Sequence, residues 1–144
     1  MTDAIRVEIE ADSDMVAART AAKELAADLG FSATDATLIA TAVSEIARNI
    51  VVHAGRGAIT MTPRLETLRY GIVIVAADSG PGIRDLEAAL ERGYAGRGGL
   101  GLGLPGARRL MDEFEIDSNA SSGTMVTMTK WRPRDDLERL RKRD

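Results

Sequence analysis

Gly96-Arg97-Gly98-Gly99-Leu100-Gly101-Leu102-Gly103-Leu104-Pro105-Gly106 is the stretch on which the reading of this chain turns. Six of its eleven residues are glycine. It runs straight into Ala107-Arg108-Arg109-Leu110-Met111-Asp112-Glu113-Phe114, which reads as a helix. Glycine reaches backbone angles closed to other residues and lets a ligand approach the main chain. A helix N-terminus offers unpaired N–H groups and the positive end of a dipole. Glycines feeding such a terminus make an anion site, most often for phosphate. Pro105 suits a first helical turn, where its missing N–H costs nothing.

Gly101-Leu102-Gly103-Leu104-Pro105-Gly106 matches G-x-G-x-x-G, the fingerprint of dinucleotide folds. That fingerprint needs an apolar strand directly before its first glycine. Here the preceding residues are Glu91-Arg92-Gly93-Tyr94-Ala95-Gly96-Arg97, which cannot form a buried strand. No G-x-x-x-x-G-K-[ST] loop is present, nor the H-R-D and D-F-G signatures of the protein-kinase fold. A phosphate site of some other kind is expected.

Upstream, Tyr70-Gly71-Ile72-Val73-Ile74-Val75-Ala76-Ala77 is a continuous apolar run and reads as a central strand. It stops at Asp78-Ser79-Gly80-Pro81-Gly82. Ile59 and Met61 alternate with threonines, giving a strand that Pro63 is expected to end. Before it lies a helix from Ser32 to about Val52, with Ile39, Val43, Ile46 and Ile50 as its apolar stripe. Glu45, Asn49 and His53 recur every four residues and share a neighbouring face. This helix is apolar around most of its girth, so that face is expected to look into a pocket. An earlier alanine-rich helix, roughly Asp14 to Leu29, is closed by Gly30, and Ile5, Val7 and Ile9 form a first half-buried strand.

Downstream, residues 83–95 read as irregular or partly helical. Phe114-Glu115-Ile116 and Met125-Val126-Thr127-Met128-Thr129 read as two strands joined through Asn119–Gly123. The order β-α-α-β-β-loop-α-β-β predicts an α/β fold: a two-layer sandwich with a mixed β-sheet covered by helices on one face. One domain over 1–133 is expected, followed by a charged tail, 134–144.

The 144 residues carry a net charge of −3, which argues against a broad nucleic-acid surface. There is no cysteine, so disulfides, thiolate catalysis and cysteine–zinc sites are excluded. The single histidine, His53, excludes a histidine-rich metal site. No apolar run approaches a membrane span, and a cytoplasmic location is the expectation.

Three separated pieces, Glu45-x-x-x-Asn49, Asp78-x-Gly80-x-Gly82 and Gly99–Gly106, resemble the N, G1 and G2 boxes of the GHKL ATPase/kinase superfamily, in that order. Gly123-Thr124 resembles the G3 position. The resemblance implies that superfamily's Bergerat ATP-binding fold, which agrees with the element order. Within it, Glu45-Ile46-Ala47-Arg48-Asn49-Ile50-Val51-Val52-His53-Ala54 is similar to the N box of the small bacterial anti-sigma-type serine/threonine kinases. The run from Gly98 to Phe114, with its Leu104-Pro105-Gly106 step, is most similar to the RsbT-type switch kinases of stress signalling.

That resemblance implies ATP and Mg²⁺ as cofactors. It makes Glu45 the catalytic base near the terminal phosphate and Asn49 the Mg²⁺ ligand. Asp78 would accept a hydrogen bond from the adenine amino group, with Gly80 and Gly82 letting the backbone pass the base and Thr124 joining that network. Backbone groups of Gly99, Gly101 and Gly103 would hold phosphates. Leu100 and Leu102 would line and pack the loop, and Arg97 would reach toward the γ-phosphate. The implied partners are STAS-domain substrates of the RsbS/RsbR kind and, after phosphorylation, a PP2C-type phosphatase of the RsbU kind. A nucleotide-gated anti-sigma-type binding protein with little catalysis is the alternative.

Overall fold

The computed structural model describes residues 3–82, 103–119 and 121–134. In chain order these form β1 (Ile5–Ile9), α1 (Asp12–Leu29), α2 (Ala33–His53), β2 (Gly57–Leu65), β3 (Arg69–Asp78), α3 (Gly103–Leu110), β4 (Glu113–Asn119) and β5 (Gly123–Pro133). The five strands make one sheet in the order β1-β2-β3-β5-β4. The expected two-layer α/β sandwich is the observed one. Every strand pairing in it is antiparallel. β3 and β4 do run in the same direction, as a crossover through α3 requires, but β5 lies between them. The mixed character therefore lies in the connection, not in a parallel ladder.

Period-two patterning sets which face of the sheet is buried. One row on the helix side is Ile5, Met61, Ile74, Met128 and Phe114, and the next is Val7, Ile59, Ala76, Val126 and Ile116. Both rows are wholly apolar and pack under α1 and α2, whose Leu25, Ile39, Val43, Ile46 and Ile50 complete the core. A register slip of one residue would turn these rows to solvent, so the burial fixes the pairing.

The helix ends follow local chemistry. Gly30 takes φ 102° and returns its N–H to Ala26 and Ala27, closing α1. At the other end of α1 the carboxylate of Asp14 reaches back to accept from the N–H groups of Glu10 and Ala11, at 2.8 and 3.0 Å. The helix thus begins at Asp12, two residues earlier than the acidic run suggests. Ser32 caps α2 by accepting from Asp35 N–H at 3.1 Å. The Asp35 carboxylate itself is engaged by Arg132.

Two expected boundaries are corrected. Pro63 does not end β2, which continues to Leu65. β1 pairs with β2 only as far as Met61, so at Pro63 the strand has a neighbour on one side alone and the missing N–H is tolerated. The helix after the glycine stretch stops at Leu110, and Glu113 and Phe114 already belong to β4. Its last carbonyl, Leu110 O, accepts from the buried Lys130 Nζ at 2.8 Å, a cation at the negative end of the helix dipole. The irregular or partly helical stretch expected at residues 83–95 lies outside the described residues. So does the expected tail beyond Arg134, whose own N–H donates to Leu68 O at 3.2 Å.

Candidate functional site

The third row of the sheet's inner face breaks the apolar pattern. It holds Ile9 and Gly57, then Asp78, Thr124 and Ser118. The apolar run of β3 ends on Asp78, and this end of the sheet meets the C-terminal end of α2. A β-carbon built on Gly80 would stand 2.6 Å from Ala54 Cβ, so the turn after β3 rests directly on the cap of α2. The missing side chain at Gly80 is what permits that approach.

Asp78 Oδ1 accepts from Gly80 N–H at 2.9 Å and from Thr124 N–H at 3.3 Å. Both of these contacts use the same oxygen, so the carboxylate is held at one corner. Thr124 is 5% exposed, and its hydroxyl lies 2.7 Å from that of Ser118. Gly123, at φ 85°, lets β5 start against β3, where a β-carbon would fall 2.1 Å from Asp78 O. The expected G1 and G3 positions are thus in contact.

Glu45 and Asn49 are both half-buried on α2. Four residues apart, they are separated by about 6 Å along the helix. Glu45 Oε2 accepts from Gly103 N–H at 2.9 Å. Gly103 is the first residue of α3 and has φ 65°. The carboxylate therefore sits at the positive end of the helix that the glycine stretch feeds. The N box and the end of the G2 box are brought together by this one bond.

The donor set suits a nucleotide that carries its own metal. Asn49 offers one neutral oxygen, and Mg²⁺ is commonly held by one or two protein oxygens together with substrate phosphates. The carboxylate of Asp78 is an acceptor only, matched to an exocyclic amine. Pro105, Gly106 and Ala107 are buried in α3, under which Leu104 packs into the core. Arg97, Gly99, Leu100, Gly101 and Leu102 lie outside the described residues. Gly82 is described and takes φ 78°.

A cavity of about 840 Å³ opens on the opposite face of the sheet, which carries no helix among the described residues. Arg6, Thr60, Val75 and Met125 line it, and it reaches Asp78 and Thr124 from outside. It touches neither Glu45 nor Asn49, so it does not unite the groups that phosphate and base chemistry require.

Sequence reading did not single out Ser118. The signal was present: Phe114, Ile116 and Ser118 share one face of β4, and only the third is polar.

Comparison with known proteins shows the family of the chain. Residues 9–130 match the family described as the histidine kinase-like ATPase domain. The serine/threonine-protein kinase RsbT of Bacillus subtilis is 44% identical over 131 residues, covering 91% of this chain and 98% of RsbT. An anti-sigma F factor of Caldanaerobacter subterraneus is 36% identical over 118 residues, covering 79% of this chain and 82% of that protein. Among solved structures, a mycobacterial sensor histidine kinase, MprB, aligns over 93% of this chain with 16% identity and a TM-score of 0.48.

Proposed function

Because the chain belongs to the histidine kinase-like ATPase domain family, we propose that it is an ATP- and Mg²⁺-dependent protein serine/threonine kinase of the RsbT kind. Its substrates on this reading are STAS-domain proteins of a stress-signalling switch. Once they are phosphorylated, the kinase is released to bind and activate a PP2C-type phosphatase. The reading is supported by 44% identity to a serine/threonine kinase across nearly its whole length. The single observation that carries it is the Glu45 carboxylate at the N-terminus of α3, one turn from Asn49.

The roles follow from chemistry. Asp78 accepts the amino group of adenine, and Thr124 completes that end of the site. The amides at the start of α3 and in the glycine stretch before it favour phosphate. Mg²⁺, when bound, neutralises charge on the phosphates, and Asn49 is the residue that would hold it. Glu45 takes the proton from the attacking hydroxyl of the protein substrate. That carboxylate accepts from Gly103 N–H, at the helix end that favours phosphate. Phosphates arriving at the same helix end would compete for the amide and free the base.

A second reading is a nucleotide-gated binding protein with little catalysis, favoured by the 36% identity to an anti-sigma F factor. Incubation with γ-labelled ATP, Mg²⁺ and a STAS-domain protein separates the two. Label on serine or threonine of the partner supports the kinase. Tight ATP-dependent binding without transfer supports the binding protein.

A further inference from the structure

We propose that Ser118 is a positioning residue that sets the Thr124 hydroxyl to read the nucleotide base, so that the site distinguishes adenine from a 6-oxo purine. This rests on the reading of Asp78 as the adenine acceptor. It adds a residue outside the GHKL boxes and assigns it a selectivity role.

The observation is the polar end of the sheet's inner face. Two full rows of that face are apolar from edge to edge. The third ends in Asp78, Thr124 and Ser118, side by side on β3, β5 and β4. Ser118 stands where the Phe114–Ile116 alternation calls for another apolar residue. Its hydroxyl is 2.7 Å from that of the buried Thr124, and either can be the donor.

A threonine hydroxyl alone does not discriminate, since it can donate or accept. Its neighbours decide. The negative charge of Asp78, one strand away, favours turning the proton of Thr124 rather than its lone pairs toward the ligand side. Ser118 completes this orientation by donating into Thr124 Oγ1 from the far side. The row then presents an acceptor, Asp78, beside a donor, Thr124. Adenine offers the complement: an amine donor beside a ring-nitrogen acceptor. Hypoxanthine offers an oxo acceptor beside an N–H donor and meets the wrong partner at both positions. Without Ser118 the Thr124 hydroxyl is free to rotate, and half of that discrimination is lost.

The test is calorimetry with ADP and IDP at fixed Mg²⁺. The wild type is expected to prefer ADP. Ser118→Ala should reduce the ADP-to-IDP affinity ratio by about 3- to 10-fold, the scale of one net hydrogen bond. Ser118→Thr, which keeps the hydroxyl, should retain the wild-type ratio. Thr124→Val should lower the ratio as well, and Ser118→Ala added to it should change nothing more, because Ser118 acts through Thr124. A wild-type ratio in Ser118→Ala, whatever happens to the two affinities, overturns the inference and leaves the adenine site standing. So does a further fall in the ratio when Ser118→Ala is added to Thr124→Val. Equal binding of ADP and IDP by the wild type removes the adenine reading itself, and the inference with it.

Discussion

Glu45 and Gly103, 58 residues apart in the chain, are joined by a hydrogen bond of 2.9 Å from the Gly103 amide to the Glu45 carboxylate. Lys130 holds the other end of the same helix through Leu110 O. The eight-residue α3 is too short to be stable alone. It is kept in place by an anion at its positive end, a cation at its negative end, and by Leu104 and Ala107 packed into the core. The proposed base and the end of the phosphate loop are therefore mechanically one unit.

This changes what a truncation at Glu45 measures. Glu45→Ala removes a helix cap as well as the proposed base, and should destabilise the fold by about 1 kcal/mol. Glu45→Gln keeps an oxygen that can accept from Gly103 N–H, so its thermal midpoint should stay near that of the wild type. Calorimetric melting of both variants checks the ordering. Equal melting of the two would show that the bond contributes nothing.

Asp78→Asn should fold normally, because an amide oxygen can replace Oδ1 toward the N–H groups of Gly80 and Thr124. The lost acceptor charge should lower ATP affinity roughly 10- to 100-fold, as for a buried hydrogen bond to a charged group. Titration calorimetry on the folded variant reads it. Unchanged affinity would take Asp78 out of the site.

Gly123→Ala should be damaging, because Gly123 is buried at the start of β5. The new β-carbon would lie 2.1 Å from Asp78 O, at a backbone angle that alanine resists. The strain falls on Asp78, the residue proposed to read the base. Loss of both ATP binding and stability, by about 2 kcal/mol or more, is expected from denaturant unfolding.

The far end of the sheet supplies a pH prediction. Arg132 donates to both oxygens of Asp35, at 2.5 and 2.6 Å, and ties β5 to the start of α2. That guanidinium holds the Asp35 carboxyl below its ordinary range. A carboxyl whose folded pKa is depressed stabilises the fold above its unfolded value, near 4, and the contribution fades as pH falls through the folded value. Asp35→Asn should destabilise by about 1–2 kcal/mol at neutral pH, a figure kept small because the arginine is partly exposed. The gap to wild type should close below about pH 4. A gap constant down to low pH would mean that the charge is not what stabilises the contact.

The layers of this fold were legible because they rest on local periodicity. Ile5, Val7 and Ile9 gave β1, and Ile39, Val43, Ile46 and Ile50 gave the buried face of α2. The same periodicity put Glu45 and Asn49 on α2 and Asp78 at the end of β3. Features set by tertiary partners were not legible. Pro63 looks like a strand end until β1 is seen to stop at Met61. Asp35 looks like half a capping box until Arg132, 97 residues later, claims it. The insertion of β5 between β3 and β4 depends on side-by-side packing that no single segment encodes. Ser118 was missed because one serine in a strand carries no weight until its row is assembled.

The most direct test of the account is single-turnover transfer from γ-labelled ATP to a STAS-domain protein by wild type and Glu45→Gln, with ATP and partner affinities measured alongside. The account expects wild-type transfer to serine or threonine, with the variant slowed by roughly 10²- to 10⁴-fold while both affinities hold. Transfer by Glu45→Gln at the wild-type rate would contradict the assignment of Glu45 as the base. No transfer by the wild type, with nucleotide-dependent binding intact, would contradict the kinase itself.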